Sequence, residues 1–295
     1  MFSDTLTNLF QLTLSGLAVG SIYAVVALGF VILYKATDIF NFAQGELMTL
    51  GAFIGYFFIV QLHIPIFWAF LLTFVTTALI GLVIEELFFR PMVGEPIFSV
   101  IMVTVGLSIF LKGFIGFSWG SMIKKFPSFV SEEPIHFSGL VVSPGHLVTI
   151  IAAGILILIF AIFFKFSSMG IGMRAVANDQ DASMLVGISV RKIFGLSWII
   201  SGIVAAIGGI LLSNITYLHP SLSSVGIKVF PAVVLGGLDS IAGAIVGGLI
   251  IGVVENIAGG YLGGDVKEIT SFVILIAILM IKPYGLFGKE EIERV

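Results

Sequence analysis

Of the polar stretches that interrupt the apolar runs, three hold the candidates for chemistry. The longest, residues 170–192, reads GIGMRAVANDQDASMLVGISVRK and carries Arg174, Asn178, Asp179, Gln180, Asp181, Arg191 and Lys192. The second, Asn41-Phe42-Ala43-Gln44-Gly45-Glu46, precedes LMTLGAFIG, and the third, Gly236-Gly237-Leu238-Asp239-Ser240, precedes IAGAIVGGLIIG. Their residue types suit recognition and mechanical coupling rather than catalysis, and no nucleophile–base–acid set stands out. The histidines, His63, His136, His146 and His219, are scattered without metal-ligand spacing. The absence of cysteine excludes disulfides, thiolate metal sites and cysteine nucleophiles. GGLDS lacks the lysine of a phosphate-binding loop, so the chain is expected neither to bind nor to hydrolyse ATP. No cofactor box, metal site or nucleic-acid signature is expected.

Each candidate has a bland reading beside the functional one. Glu46 and Asp239 abut apolar runs, where charge is costly. Either they border a translocation path or fix its broken helices, or they cap the helices that follow, Asp239 and Ser240 being good capping types. A carboxylate in a pore repels an anionic ligand, which favours pinning over direct contact. Glu255 and Asn256 end an apolar segment and read as interfacial, and Lys228 can snorkel out of the membrane. In the long insert, Ser167 or Ser168 can cap a helix, residues 173–186 lack Pro and Gly, and Gly187 supplies a stop. One helix there would put Arg174, Asn178, Asp181 and Leu185 on a single face. That element is either a solvated connector or a handle for a partner protein.

The elements that must position these stretches are membrane spans. The chain has 295 residues, 58% hydrophobic and 11% charged, and a soluble domain carries roughly twice that charge. An all-α polytopic membrane protein is therefore expected, with its 35 glycines suited to close helix packing in lipid. The N-terminal stretch MFSDTLTNLFQ lacks a basic n-region, so no cleaved signal peptide is expected. Apolar runs fall near residues 9–34, 47–60, 67–89, 99–119, 146–166, 193–213, 229–238, 241–256 and 269–281. That is about eight or nine spans, some too short for the roughly 20 residues a full crossing needs. Positive charge places the loop 167–192 in the cytoplasm; alternation then puts the loop 120–145 outside and the tail 282–295 inside. The two polar breaks point to a transporter's pathway or hinges, although alternation gives both halves the same orientation and does not support an inverted repeat.

Several stretches, taken in order, resemble a known family: GSIYAVVALGFVILYKATDIFNFAQGELMTLGAF, MRAVANDQDASMLVGISV, VLGGLDSIAGAIVGGLIIGVVE and KPYGLFG. The chain is identified by them as similar to the permease subunits of branched-chain (hydrophobic) amino acid ABC importers, the LivH-type branch, over about residues 16–288. The resemblance implies a single transmembrane permease domain, multi-pass in the cytoplasmic (inner) membrane. It implies a related second permease, usually as a heterodimer, and two cytoplasmic ATPases that bind ATP and Mg. It also implies an extracytoplasmic substrate-binding protein. It makes the insert a coupling helix docked on the ATPase, with Arg174, Ala175, Ala182, Gly187 and Ile188 matching the family's loop; Asn178, Asp181 and Leu185 share the expected face. Asn41, Gln44, Gly45, Glu46, Gly236, Gly237, Asp239 and Ser240 become candidates for the pathway or its hinges. Similar permeases serve other amino acids, urea, short amides or small aromatic acids. An ion-coupled secondary transporter, a channel and an intramembrane enzyme are the rival classes.

Overall fold

The computed structural model describes residues 2–288 apart from 129, 132, 138 and 139. Glu132 and the tail charges Lys289 and Arg294 lie outside the described residues. Eleven helices occur among the described residues: α1 (Phe2–Thr37), α2 (Gln44–Tyr56), α3 (Ile66–Ile84), α4 (Ile97–Trp119), α5 (Pro144–Phe166), α6 (Ser168–Asn178), α7 (Gln180–Leu185), α8 (Val190–Ile215), α9 (Ser224–Gly236), α10 (Ile241–Leu262) and α11 (Gly264–Ile281). Six of them, α1, α3, α4, α5, α8 and α10, are long and apolar enough to cross a membrane. The protein is thus an all-α polytopic membrane protein. One small addition was not anticipated, an antiparallel hairpin of β1 (Ile135–Phe137) and β2 (Leu140–Val142).

Helix and membrane chemistry account for these elements. Backbone groups in lipid must be satisfied within the segment, which selects helices. Buried hydroxyls follow the same rule: Thr49, Thr73, Thr77, Ser197 and Ser213 each donate to a carbonyl four residues back in their own helix. The described residues form two compact units, one drawn from residues up to Val31, from Val130–Gly154 and from Lys228 onward, the other from Ile32–Phe129 and Ile155–Ile227.

In the first unit the small-residue stripe of α1 lies on α10. A Cβ at Gly16 would come within 2.8 Å of the Val253 Cα, and one at Gly20 within 3.0 Å of the Gly248 carbonyl. Only backbones stripped of side chains approach this closely. Asn256 donates to the Leu12 carbonyl at 2.7 Å and accepts from Lys267, so α11 joins the same assembly. Lys228 does not snorkel alone: it pairs with Glu268 of α11 at 2.8 Å.

In the second unit α2 and α3 both pack along α8. A Cβ at Gly51 would lie 2.5 Å from the Ala206 Cα, one at Gly202 would lie 2.6 Å from the Thr77 carbonyl, and one at Gly81 would collide with the Trp198 carbonyl. Trp198 stacks on Phe89 at 4.4 Å between centroids. Arg90 holds buried Glu85 through two nitrogens, at 2.7 and 3.3 Å, and reaches Glu86 at 2.7 Å. That arrangement leaves the carboxylate of Glu85 compensated where an unpaired charge would be costly.

Candidate functional site

The long polar insert folds as two helices, not one. Ser167 caps α6 by accepting from the Gly170 backbone N–H at 2.9 Å. The chain then breaks at Asp179, whose backbone is extended (φ −162°, ψ 110°) and whose carboxylate accepts from the Ala182 N–H at 2.9 Å. The expected continuous helix over 173–186 is overturned, because Asp179 gains a cap that an interior helical position denies it. Arg174, Ala175 and Asn178 therefore sit on α6, and Asp181, Ala182 and Leu185 on α7. Gly187 ends α7 at φ +86°, the left-handed conformation that favours glycine. The Gly187 N–H donates to Met184 and the Ile188 N–H to Ser183, which closes the helix end. Ile188 turns inward, 3.9 Å from a Cβ placed on Gly172. Met184, Leu185 and Val186 point outward, Leu185 with 89% of its surface exposed.

The first break builds a buried polar knot. The Asn41 side chain accepts from the Ala43 N–H at 3.1 Å and donates to the Gln44 side-chain oxygen at 3.2 Å. The same oxygen accepts from the Ser201 hydroxyl at 2.9 Å, and the Gln44 amide nitrogen donates to the Ser201 carbonyl at 3.4 Å. Gln44 is fully buried. Ser201 lies in α8 about 16 Å of helix from its start at Val190, at 1.5 Å per residue. α2 therefore begins deep in the unit, around half the thickness of a bilayer core from the α8 terminus. Gly45 is a contact glycine: its Cα would lie 2.5 Å from a Cβ on Gly226, in the first turns of α9. Glu46 is 8% exposed, on a helix that packs against α4 and against the turn Pro220–Ser223, where the Ser223 hydroxyl donates to the Pro220 carbonyl at 3.3 Å. Glu46 does not cap α2, whose N-cap is Ala43; it stands in the first turn, where a negative charge complements the helix dipole.

The second break belongs to the other unit. Ser240, not Asp239, caps α10 by accepting from the Gly243 N–H at 3.0 Å. Gly237 adopts φ +105° and Gly236 packs directly on Gly243. Sequence reasoning missed what closes this break. The last carbonyls of α9, on Leu235 and Gly236, accept from the N–H groups of Leu286 (2.8 Å) and Phe287 (3.0 Å). Gly285, at φ +75°, fits because a side chain would meet the Val234 carbonyl at 2.5 Å. Residues 283–288, the PYGLFG stretch, thus satisfy a helix end that has no partner of its own.

Two further ionisable residues were misjudged or overlooked. Glu255 is not interfacial: α10 continues to Leu262, and Glu255 is 1% exposed, accepting from the Tyr23 hydroxyl at 2.8 Å. Lys112 drew no notice as a lone charge within the span 97–119. The visible signal was its sequence spacing: it follows Ser108 by four residues, on the same helix face.

A bundle of apolar helices, with a half-length helix starting at depth beside buried polar residues, defines a multi-pass membrane permease. It is a transport subunit rather than an enzyme. The family described as branched-chain amino acid transport system / permease component matches residues 12–281. The chain is 30% identical over 308 residues to the high-affinity branched-chain amino acid transport system permease protein LivH of Escherichia coli (strain K12), covering 99% of this chain and 100% of that one. It is 30% identical over 299 residues to the corresponding protein BraD of Pseudomonas aeruginosa, covering 97% of each. Among solved structures, a chain of PsaBC from Streptococcus pneumoniae in complex with Fab shares the fold, with TM-score 0.54, 12% identity, and coverage of 97% and 98%. The chain belongs to the branched-chain amino acid transport permease family.

Proposed function

We propose that this chain is one permease half of an ATP-binding cassette importer that moves branched-chain or other hydrophobic amino acids into the cytoplasm. The observation that carries the reading is the family match over residues 12–281, and the relatives named for branched-chain amino acid transport support the substrate class. The shorter helices α2, α9 and α11 add to the six long helices to give about eight or nine crossings of the cytoplasmic (inner) membrane. The insert 167–192 and the segment after α11 face the cytoplasm, and the loop 120–145 faces outward, where a soluble binding protein delivers cargo. Two ATPases bind ATP and Mg, and a related second permease completes the pathway as a heterodimer.

Coupling runs through α6 and α7. The apolar knob of Met184, Leu185 and Val186 suits a groove on an ATPase, with Arg174, Ala175, Asn178, Asp181 and Ala182 around it and Gly187 and Ile188 fixing its end. ATP closes the ATPases, and their rigid-body movement is passed to α8, against which α6 and α7 pack. The bias towards one state comes from ATP binding that state more tightly. Asn41, Gln44, Gly45 and Glu46 in one unit, and Gly236, Gly237, Asp239 and Ser240 in the other, serve as the pathway's hinges.

The test is ATP hydrolysis in nanodiscs, with the chain assembled with its partner permease, ATPases and binding protein. Leucine, isoleucine or valine is expected to stimulate hydrolysis, and Arg174→Glu to weaken assembly and uncouple uptake. Stimulation by urea, short amides or small aromatic acids instead moves the substrate and keeps the mechanism. Uptake by the chain without any ATPase refutes it.

A further inference from the structure

The second unit holds a cavity of about 140 Å³ beside the insert 167–192. Three parts of the chain enclose it: the end of α1 with the residues just after it, the connector from α3 into the first turns of α4, and the insert with the start of α8. Its inner wall is apolar and buried, with Phe89 3%, Val100 6% and Phe194 8% exposed. A cavity of roughly 150 Å³ with such walls stays dry and accepts a benzene-sized guest. Two left-handed residues line it, Asp38 at φ +55° and Gly94 at φ +90°. A Cβ on Gly94 would meet nothing within 4 Å, so the connector is not packed shut at that point. The rim is different in character. Glu95 is exposed there, and among the described residues no lysine or arginine lines the cavity. A guest with an apolar body and a positive head matches this lining. A carboxylate finds no charged partner in it and stays at the mouth, in water.

We propose that this cavity is a regulatory site for the imported amino acid, which enters it from the cytoplasm. The apolar side chain fills the hollow, the ammonium lies beside Glu95, and the carboxylate remains hydrated. The inference rests on the importer reading above, which brings an apolar amino acid and this end of the chain into one compartment. Gln180 is both a wall of the cavity and the first residue of α7. A guest therefore lies between the coupling element and the connector that leads into α4. It fits one arrangement of those elements and favours that arrangement through its differential affinity. Turnover driven by the ATPases must leave that arrangement, so accumulated product slows its own import.

The test uses the whole importer in proteoliposomes, with ATP in the lumen, which is the cytoplasmic side, and labelled leucine delivered outside by the binding protein. Unlabelled leucine in the lumen is expected to lower uptake about fivefold, the low end of allosteric coupling. Luminal isopentylamine, which is leucine without its carboxylate, is expected to act in the same way. The oxo acid of leucine, which lacks the ammonium, is expected to have no effect. I97W plugs the mouth, where Ile97 is 69% exposed, and E95Q removes the rim charge; in each, uptake with and without luminal leucine is expected to be equal. The chain contains no cysteine, so M92C puts its sole thiol in the cavity wall, and leucine is expected to slow maleimide labelling there. Uptake indifferent to luminal leucine, inhibition that survives both I97W and E95Q, inhibition by the oxo acid and not by the amine, or labelling indifferent to leucine overturns the site and leaves the importer reading standing. A wild-type complex that assembles and takes up no leucine overturns the amino acid reading and the site with it.

Discussion

Replacing Gly285 by alanine tests whether residues 283–288 close the break after α9. Gly285 has φ +75°, where an L-residue costs about 1–2 kcal/mol. Its new Cβ would lie 2.5 Å from the Val234 carbonyl and 2.6 Å from the Gly237 nitrogen, so the segment must move off α9. Movement breaks the bonds from Leu286 to Leu235 and from Phe287 to Gly236, each contributing about 0.5–1.5 kcal/mol. The total is about 2–5 kcal/mol. Gly94 supplies the control: its φ is +90°, yet a Cβ there meets nothing within 4 Å. Gly94→Ala therefore carries the backbone strain alone, about 1–2 kcal/mol. Thermal unfolding of both variants in detergent, followed by tryptophan fluorescence, measures the difference. At roughly 2–4 °C per kcal/mol, Gly285→Ala is expected to unfold several degrees below Gly94→Ala. Equal midpoints for the two variants would refute the clamp.

Two other perturbations follow from single contacts. Tyr23→Phe strips buried Glu255 of its donor and is expected to destabilise the protein by about 1–3 kcal/mol; adding Glu255→Leu is expected to recover part of that, and a further loss in the double variant's thermal midpoint would count against it. Asp179→Ala removes the cap on α7, worth about 1 kcal/mol; a pull-down titration is expected to show several-fold weaker binding to the ATPase, with the thermal midpoint lowered by no more than roughly 2–4 °C, and wild-type affinity would contradict the role of α7.

The parts of the fold that were legible in the sequence are those set by composition over a local window. A run such as residues 146–166 has one physical solution in lipid, and α5 occupies Pro144–Phe166. The charges of the insert 170–192 exclude it from hydrocarbon, and it forms short capped helices. The break inside it was harder. Asp179 is equally compatible with a helix interior and with an N-cap, and its extended backbone decides the matter only once the Ala182 N–H is in place. Lys112 vanished for a different reason: one charge among 23 residues scarcely changes the hydropathy of α4. The bond from Tyr23 to Glu255 and those from Leu286 and Phe287 to α9 join residues far apart in sequence. No local pattern announces such pairs, although the glycines of PYGLFG and of GGLDS mark both sides of one of them.

The docking of residues 283–288 on α9 also orders the protein's biosynthesis. α9 leaves the ribosome well before Leu286 and Phe287 exist, and during that interval its last two carbonyls have no chain partner. Lipid offers them none, so the nascent helix end must stay in water or against the insertion machinery until α10 and α11 have been made. A chain stalled within α11 would present the quality-control proteases with an open, hydrated helix end. The finished chain hides that end, so the α9–α10 corner matures last and reports that synthesis has passed Phe287.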